Sequence, residues 1–465
     1  MSPTQSPPPP TPPANSTSTP RPEPRPEPIP TPKPDSPAID RATLIVGQKI
    51  IGPDRYGESI GPPLAALAKH IVVLAGAGSG KTVLLYRLVE EAALRGIPSI
   101  VVDCANDLSA FDENKDPSPN WRPGDDNLAR RFRESSEMIL WTPGKESGNP
   151  LTLQPLPDFD AVKADPEELQ DALLMANASL AGIVARGASE KSQKKLGILR
   201  SSLEFFARNY TAGTLADYTE MLKDLPDGAG PGVSKEKALA VEMADALRVQ
   251  MTTNPLLNTT GSALDPAVLF GDDRPRTTTR ISVISLLGLP TLDMQRTFLN
   301  QLAMILFSWI KKNPHPPGRS IRGLLVIDEA KDFLPSQKAS ECKESMLRLG
   351  AQARKYGLGL VFATQHPKDI DHKLIGNSST HFYGLNNSPA SLATLQEQMK
   401  LKGGNGDDIA RLKVGQFYFH SAGATQSSPI KLKVPDCLSN KRLLEEQEIL
   451  IKAKRSRRMV EGRDV

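Results

Sequence analysis

The sequence predicts an α/β fold with a mostly parallel sheet and helices on both faces. Short apolar runs alternate with segments of helical periodicity over most of the chain, which is the pattern of strand–helix–strand crossovers. Carboxyl ends of parallel strands lie at one edge of a sheet, where ligands bind. Polar residues at or just beyond such ends are therefore candidate site residues, namely Lys81, Asp103, Asp328, Glu329 and Gln365.

The elements follow in order from periodicity, length and turn residues. Apolar or β-branched runs predict strands over residues 43–46, 49–51, 71–74, 97–103, 138–142, 280–286, 324–327, 358–365, 380–385 and 415–419. Apolar residues at helical spacing predict helices over residues 81–95, 166–184, 190–209, 215–225, 235–253, 293–312 and 340–356.

The first strand of the core leads into a glycine-rich loop, residues 75–82 (AGAGSGKT). A glycine loop that ends in Lys-Thr at a helix N-terminus offers backbone N–H groups to phosphates. A chance glycine-rich turn is the competing interpretation, and the strand and helix on either side argue against it. The full pattern begins with Gly, and Ala75 fits there if φ stays negative. The predicted nucleotide-binding residues are Gly76, Ala77, Gly78, Ser79, Gly80, Lys81 and Thr82.

A second apolar strand ends in two carboxylates, in residues 323–330 (GLLVIDEA). Alone, such an end is common, because any buried parallel strand must meet a loop. Paired with the glycine loop, it predicts Asp328 and the Thr82 hydroxyl as Mg²⁺ ligands and Glu329 as the general base that activates water. Lys81 is expected to bridge the β- and γ-phosphates. The two segments together predict hydrolysis of a nucleoside triphosphate, with ATP and Mg²⁺ as cofactors.

Amino-acid composition and the predicted elements divide the chain into segments. Sixteen of the 42 prolines lie in the first 37 residues, and such a segment cannot bury a core, so residues 1–38 are predicted to be a disordered tail. Four helical segments without strands predict an all-helical insertion at residues 155–265. It interrupts an ATPase core formed by residues 39–154 and 266–435. Residues 436–465 are predicted to be a basic C-terminal helix or tail.

The net charge and the cysteine and histidine content argue against several classes of protein and of binding site. The net charge is +4, and residues 441–465 alone carry eight basic and five acidic groups. A protein that coats DNA through its overall charge is therefore not expected, and a DNA partner would need a local channel. Three cysteines and six histidines show no spacing of a disulfide framework or metal site. Without a signal peptide or a membrane span, the protein is expected to be cytoplasmic.

Several segments resemble the HerA group of the HerA/FtsK superfamily of DNA-pumping ATPases. The most specific is residues 357–371 (GLGLVFATQHPKDID). The resemblance covers roughly residues 65–435 and is weakest in the helical insertion. The other segments that carry it are residues 70–82, 324–330, 354–360, 377–380 and 414–417.

The resemblance implies a RecA-like P-loop NTPase core assembled as a hexameric ring, with ATP between subunits and double-stranded DNA in the pore. Gln365 matches the family's polar residue that senses the γ-phosphate and orients water. Arg354 matches a basic position and is a candidate arginine finger for the neighbour's ATP. A solvated charge on an amphipathic helix explains Arg354 equally well, and Arg348 is the second candidate.

One departure bears on partners. Family members that process DNA ends begin with a small β-barrel that docks a nuclease, whereas about 30 residues separate the proline-rich tail from the first core strand here, too few for such a domain. A nuclease or other effector partner is therefore left open.

Three functions remain in competition at this point. The leading hypothesis is a ring motor that couples ATP hydrolysis to translocation on double-stranded DNA. The alternative is a nucleotide-switched ATPase that remodels protein partners in a conjugation, secretion or defence complex. A small-molecule kinase would need a phosphoryl-acceptor site, and the Asp-Glu pair instead favours water as the nucleophile.

Overall fold

The computed structural model describes residues 42–462, apart from residues 154, 158, 161, 186, 212, 259–260, 274, 316–320, 338–340 and 425–426. The predicted disordered tail over residues 1–38 lies outside the described residues. None of the helices in the described part of the chain combines the length and the apolar character needed to cross a membrane.

The strands include all those predicted from residue 71 onward, with ends displaced by a few residues. Within the described residues they are β1 (Gly47–Gly52), β2 (Arg55–Ile60), β3 (Ile71–Leu74), β4 (Ser99–Asp103), β5 (Ser136–Trp141), β6 (Leu151–Thr152), β7 (Ser262–Ala263), β8 (Thr279–Ser285), β9 (Gly323–Ile327), β10 (Leu358–Thr364), β11 (Thr380–Gly384), β12 (Gln416–Ser421) and β13 (Ile430–Lys433).

The helices include every predicted one and several others that the periodicity did not indicate. In the same part of the chain they are α1 (Leu64–Leu67), α2 (Lys81–Ala93), α3 (Asp125–Ser135), α4 (Pro166–Val184), α5 (Glu190–Asn209), α6 (Leu215–Lys223), α7 (Glu236–Thr253), α8 (Pro255–Asn258), α9 (Pro266–Phe270), α10 (Leu292–Lys312), α11 (Glu341–Ala353), α12 (His372–Asn377), α13 (Pro389–Lys400) and α14 (Glu446–Glu461).

Eleven strands form one sheet in the order β2-β1-β13-β12-β11-β3-β10-β9-β4-β8-β5. The seven strands from β11 to β5 are parallel, and the other four extend the sheet in antiparallel fashion. In register, Val361 of β10 lies beside Ile71 of β3 on one side and Val326 of β9 on the other. The prediction of a mostly parallel α/β sheet is confirmed.

Two apolar clusters cover the two faces of this sheet. On one face, β3 contributes Ile71 and Val73, which join side chains of α2 such as Leu84. On the other face, Val72 joins side chains of α10 and α11, among them Leu302. Because successive strand residues point to opposite faces, a strand buried on both sides is apolar throughout. This burial explains why the core strands read as continuous apolar runs.

The predicted strand over residues 43–46 is wrong. Thr43 forms only an isolated bridge with Pro63, and the first strand begins at Gly47. The Leu44 N–H donates to the Pro62 carbonyl over 2.9 Å, but proline has no N–H to donate in return. The ladder is therefore interrupted until Gly47, after which β1 and β2 form an antiparallel hairpin.

Helices α4 to α7 build a separate hydrophobic cluster, which includes Leu180, Phe206 and Leu247. The two-residue strands β6 and β7 pair in parallel on either side of these helices in the chain. The predicted domain limits at residues 154/155 and 265/266 stay a prediction, although this cluster lies between them.

Candidate functional site

The loop between β3 and α2 is shaped to receive phosphates. Gly78 and Gly80 have φ values of 71° and 94°, a region that glycine enters without steric cost. Ala77 and Gly78 are exposed, whereas Ser79 is buried and its hydroxyl has no hydrogen-bond partner among the described residues. Because α2 begins at Lys81, the first N–H groups of this helix lack helical partners. The loop thus offers backbone N–H groups and a hydroxyl that could donate hydrogen bonds to phosphate oxygens.

Two neighbouring segments hold this loop in place. The Gly76 N–H donates to the Leu385 carbonyl, and the Gly415 N–H donates to the Ser79 carbonyl, both over 2.8 Å. A Cβ added to Gly76 would lie 3.1 Å from the Leu385 oxygen, and one added to Gly80 would lie 3.0 Å from the Gly415 nitrogen. Both glycines are therefore tightly packed against backbone.

Ala75 occupies the position where the loop pattern has glycine. Its side chain is buried, and its backbone lies outside the left-handed region. The methyl group of Ala75 faces Gly384 of the neighbouring strand β11. Glycine leaves room for it there, because a Cβ added to Gly384 would lie 2.6 Å from the Ala75 Cβ. Ala75 is therefore compatible with this loop conformation.

Lys81 contacts both carboxylates at the end of β9. Its Nζ donates to Asp328 Oδ1 and lies 3.6 Å from Glu329 Oε2. Lys81 and Asp328 are only 6% and 4% exposed. Burial raises the pKa of Asp328, while the nearby ammonium of Lys81 acts in the opposite direction. The structure thus brings together the three residues that the sequence assigns to phosphate, metal and water.

Glu329 is held in an unusual backbone conformation beside the end of β10. Its φ is 50°, which is uncommon for a residue other than glycine. Glu329 Oε1 accepts hydrogen bonds from the Thr364 hydroxyl over 3.3 Å and from the Gln365 N–H over 3.4 Å. The Gln365 carbonyl accepts from the Asn386 side chain over 3.3 Å. Glu329 and Gln365 are thus neighbours, and Asn386 is a contact that the sequence did not indicate.

Asp107 was also missed, although it follows β4 by only four residues. Its Oδ2 accepts a hydrogen bond from the Thr82 hydroxyl over 2.9 Å. Asp103, at the end of β4, is fully buried and accepts from the Leu108 N–H and the Ser109 hydroxyl. Burial raises the pKa of Asp103 to about 7. Asp103 therefore organises the loop, and Asp107 contacts Thr82, a predicted nucleotide-binding residue. The sequence does contain a signal that could have identified Asp107, because it is a second carboxylate shortly after the end of a strand.

Arg354 lies at the amino ends of the parallel strands, whereas Lys81, Asp328 and Glu329 lie beyond their carboxyl ends. It is exposed and sits in a short 3₁₀ turn immediately before β10, whereas Gln365 follows that strand. Seven strand residues span roughly 20 Å, so the structure does not bring Arg354 near Lys81 of the same chain. Arg348, earlier on α11, is also exposed.

Comparisons with known proteins identify the fold. No protein-family model and no curated protein sequence matches the chain. The unbound bacterial conjugative coupling protein TrwB superposes with a TM-score of 0.53 at 14% identity, over 88% of this chain and 91% of that one. VirB4 of Thermoanaerobacter pseudethanolicus gives 0.54 at 13% identity, over 85% and 96%. The chain has the P-loop NTPase fold of these proteins.

A nucleotide-bound structure is among those matches. The plasmid coupling protein TrwB in complex with ADP and Mg²⁺ superposes with a TM-score of 0.51 at 14% identity, over 87% of this chain and 96% of that one. At such low identity the likeness concerns the fold.

The residues of the site fit ATP and Mg²⁺. The exposed backbone at Ala77 and Gly78, and the unpaired Ser79 hydroxyl, suit phosphate oxygens. Thr82 and Asp328 would supply the oxygen ligands that Mg²⁺ prefers, and this ion usually takes few protein ligands beside water and phosphate. Within the described residues, no group of three His, Cys, Asp or Glu side chains could hold a metal by itself.

Proposed function

We propose that the protein is a Mg²⁺-dependent ATPase. The observation that carries this proposal is the contact of Lys81 with both Asp328 and Glu329 beside the glycine loop. The loop amides and Lys81 would bind the phosphates, and Thr82 and Asp328 would hold the metal ion. Mg²⁺, when bound, stabilises negative charge on phosphate oxygens.

Glu329 is the group assigned to activate water. Its carboxylate would accept a proton from water as the water oxygen bonds to the γ-phosphorus and the bond to the β-phosphate oxygen breaks. The N–H of Gln365 and the hydroxyl of Thr364 restrain Glu329 Oε1, while Oε2 has no hydrogen-bond partner among the described residues. Oε2 lies 3.6 Å from Lys81 Nζ and keeps its capacity to accept a hydrogen bond from water, which supports the assignment of Glu329, and Gln365 would orient the same water.

We further infer that hydrolysis drives a cytoplasmic ring of six copies along double-stranded DNA, as in the HerA-like ATPases that residues 357–371 resemble. A role of Arg354 in hydrolysis would require assembly. Since Arg354 lies at the edge of the sheet opposite its own Lys81, it could reach a nucleotide only on another copy. Such a ring could act with or without a nuclease or other effector partner.

The alternative is a nucleotide-switched ATPase that remodels protein partners. Its support is the fold shared with a conjugative coupling protein and with VirB4. The helical insertion, with a hydrophobic cluster of its own, would then be a surface that such partners could contact.

Hydrolysis with and without linear duplex DNA separates the two functions. A DNA motor is expected to hydrolyse ATP slowly alone and much faster with DNA, and added salt should weaken this stimulation because phosphate contacts release counterions. Hydrolysis that DNA leaves unchanged at low salt would reject the motor and favour the remodelling ATPase. Glu329→Gln protein, purified in parallel, controls for contaminating ATPases.

A further inference from the structure

Asp107 makes a contact that the proposed roles do not explain. The hydroxyl of Thr82 donates to Asp107 Oδ2 over 2.9 Å, while the buried Oδ1 has no partner among the described residues. The charges of Asp107 and Asp328 are also close enough to interact. The Thr82 hydroxyl is therefore flanked by a carboxylate with spare acceptor capacity.

The chain holds this carboxylate in place from several directions. Asp103 Oδ2 accepts from the Leu108 N–H over 3.0 Å, directly after Asp107. Directly before it, the Asn106 side chain accepts from the Ser285 hydroxyl over 2.9 Å. The Asn106 carbonyl accepts from the N–H of Leu444, in the C-terminal segment, over 3.2 Å. Asp107 is thus a restrained residue and not a freely moving loop side chain.

The chemistry of a hydroxyl ligand gives this contact a purpose. A threonine hydroxyl binds a cation through oxygen lone pairs, so its hydrogen must point to a separate acceptor. Asp107 Oδ2 already accepts that hydrogen, and a charged acceptor forms a stronger hydrogen bond than a neutral one. Carboxylates that orient a ligand in this way raise metal affinity.

We propose that Asp107 is a positioning residue for Mg²⁺, which orients the Thr82 hydroxyl and offers its second oxygen to water bound by the ion. This inference rests on the proposed ATPase function. A merely structural role would instead be to tie the loop after β4 to α2, and nucleotide binding measured with and without Mg²⁺ distinguishes the two roles.

The experiment measures binding of fluorescent ADP to the full chain, at a limiting Mg²⁺ concentration and with EDTA. Asp107→Ala should weaken binding with Mg²⁺ by about 10–100-fold and leave binding in EDTA within about twofold of wild type. Raising the Mg²⁺ concentration should restore affinity, and Asp107→Asn, which keeps an acceptor oxygen, should lose less. Asp112→Ala is the matched control, because this exposed aspartate of the same loop bonds to Lys452 instead.

Two outcomes with Asp107→Ala would overturn the inference. An equal loss in Mg²⁺ and in EDTA would make Asp107 structural, and unchanged binding would give it no role. If Asp107→Ala melts at a lower temperature than wild type, the comparison is made with Asp107→Asn. A wild-type chain indifferent to Mg²⁺ would reject the metal site itself. A wild-type chain that needs Mg²⁺ while Asp107→Ala binds normally would reject this inference alone.

Discussion

The ammonium of Lys81 bonds to the carboxylate of Asp328 across 247 residues of sequence. The two residues follow β3 and β9, which lie on either side of β10. Parallel alignment of the strands therefore places both residues at one edge of the sheet. Since both side chains are almost fully buried, each supplies the opposite charge that the other needs.

Removal of Lys81 alone should destabilise the protein as well as stop hydrolysis. Lys81→Ala leaves the Asp328 carboxylate buried without its partner, which costs up to about 3–5 kcal/mol. Adding Asp328→Asn removes the uncompensated charge, so the double variant should melt at a higher temperature than Lys81→Ala. Lys331→Ala is the control, because Lys331 is more exposed and lies 3.5 Å from Glu329. Equal melting temperatures for the single and double variants would contradict this account.

Glu329→Gln should separate binding from hydrolysis. The amide keeps the shape of the side chain but cannot accept the proton, so kcat should fall by about 10²–10⁴-fold. Affinity for ATP should stay close to that of wild type, because Lys81 and the loop amides are untouched. Filter binding and single-turnover hydrolysis measure the two quantities. Turnover at the wild-type rate would remove Glu329 as the base.

Sequence patterns were sufficient for the parallel core and for the cluster of Lys81, Asp328 and Glu329. Continuous apolar runs identify buried strands, and topology then places their carboxyl ends together. Asp107 and Asn386 were not predicted as site residues, because their relevance depends on hydrogen bonds to Thr82 and to Gln365. Contacts between distant loops leave no periodic signal in a single chain.

Short strands outside the parallel part of the sheet, and several helices, were the weaker part of the prediction. Strand β13 was not predicted, because its sequence, IKLK, alternates between apolar and polar residues over only four positions. The short helix α12 depends on an Asp371 cap, whose carboxylate accepts from the Lys373 N–H over 2.8 Å. Elements of this length are set by local capping and by their neighbours, and hydrophobic periodicity carries little information about them.

Arg354 should act in trans if it is an arginine finger. Arg354→Ala and Lys81→Ala subunits should each be inactive alone, whereas mixing them should restore part of the activity. In mixed rings, some interfaces would pair an intact Lys81 site with an intact Arg354. Arg348→Ala, mixed in the same way, tests the second candidate on α11. Co-purification through two different tags shows that mixed assemblies form, and absence of recovery in them would rule out this role for Arg354.

Acid should destabilise the protein through His381 of β11. Burial, together with the charge of Lys402 and neighbouring His420, lowers the pKa of His381 from about 6.5 to about 4. Between these values the unfolded chain binds a proton that the folded chain does not, so stability falls as the pH drops through this window. From pH 7 to pH 5 this residue should account for about 2 kcal/mol.

The test compares urea denaturation of wild type and His381→Gln at pH 7, 6 and 5. Glutamine keeps an N–H that can donate to the Ile375 carbonyl, which lies 3.1 Å from His381 Nε2, and it does not titrate. The variant should therefore lose less stability than wild type on acidification, even if it is less stable at pH 7. His372→Gln is the control, because it removes an exposed histidine and leaves His381 in place. Parallel curves for wild type and His381→Gln would show that His381 does not titrate in this range.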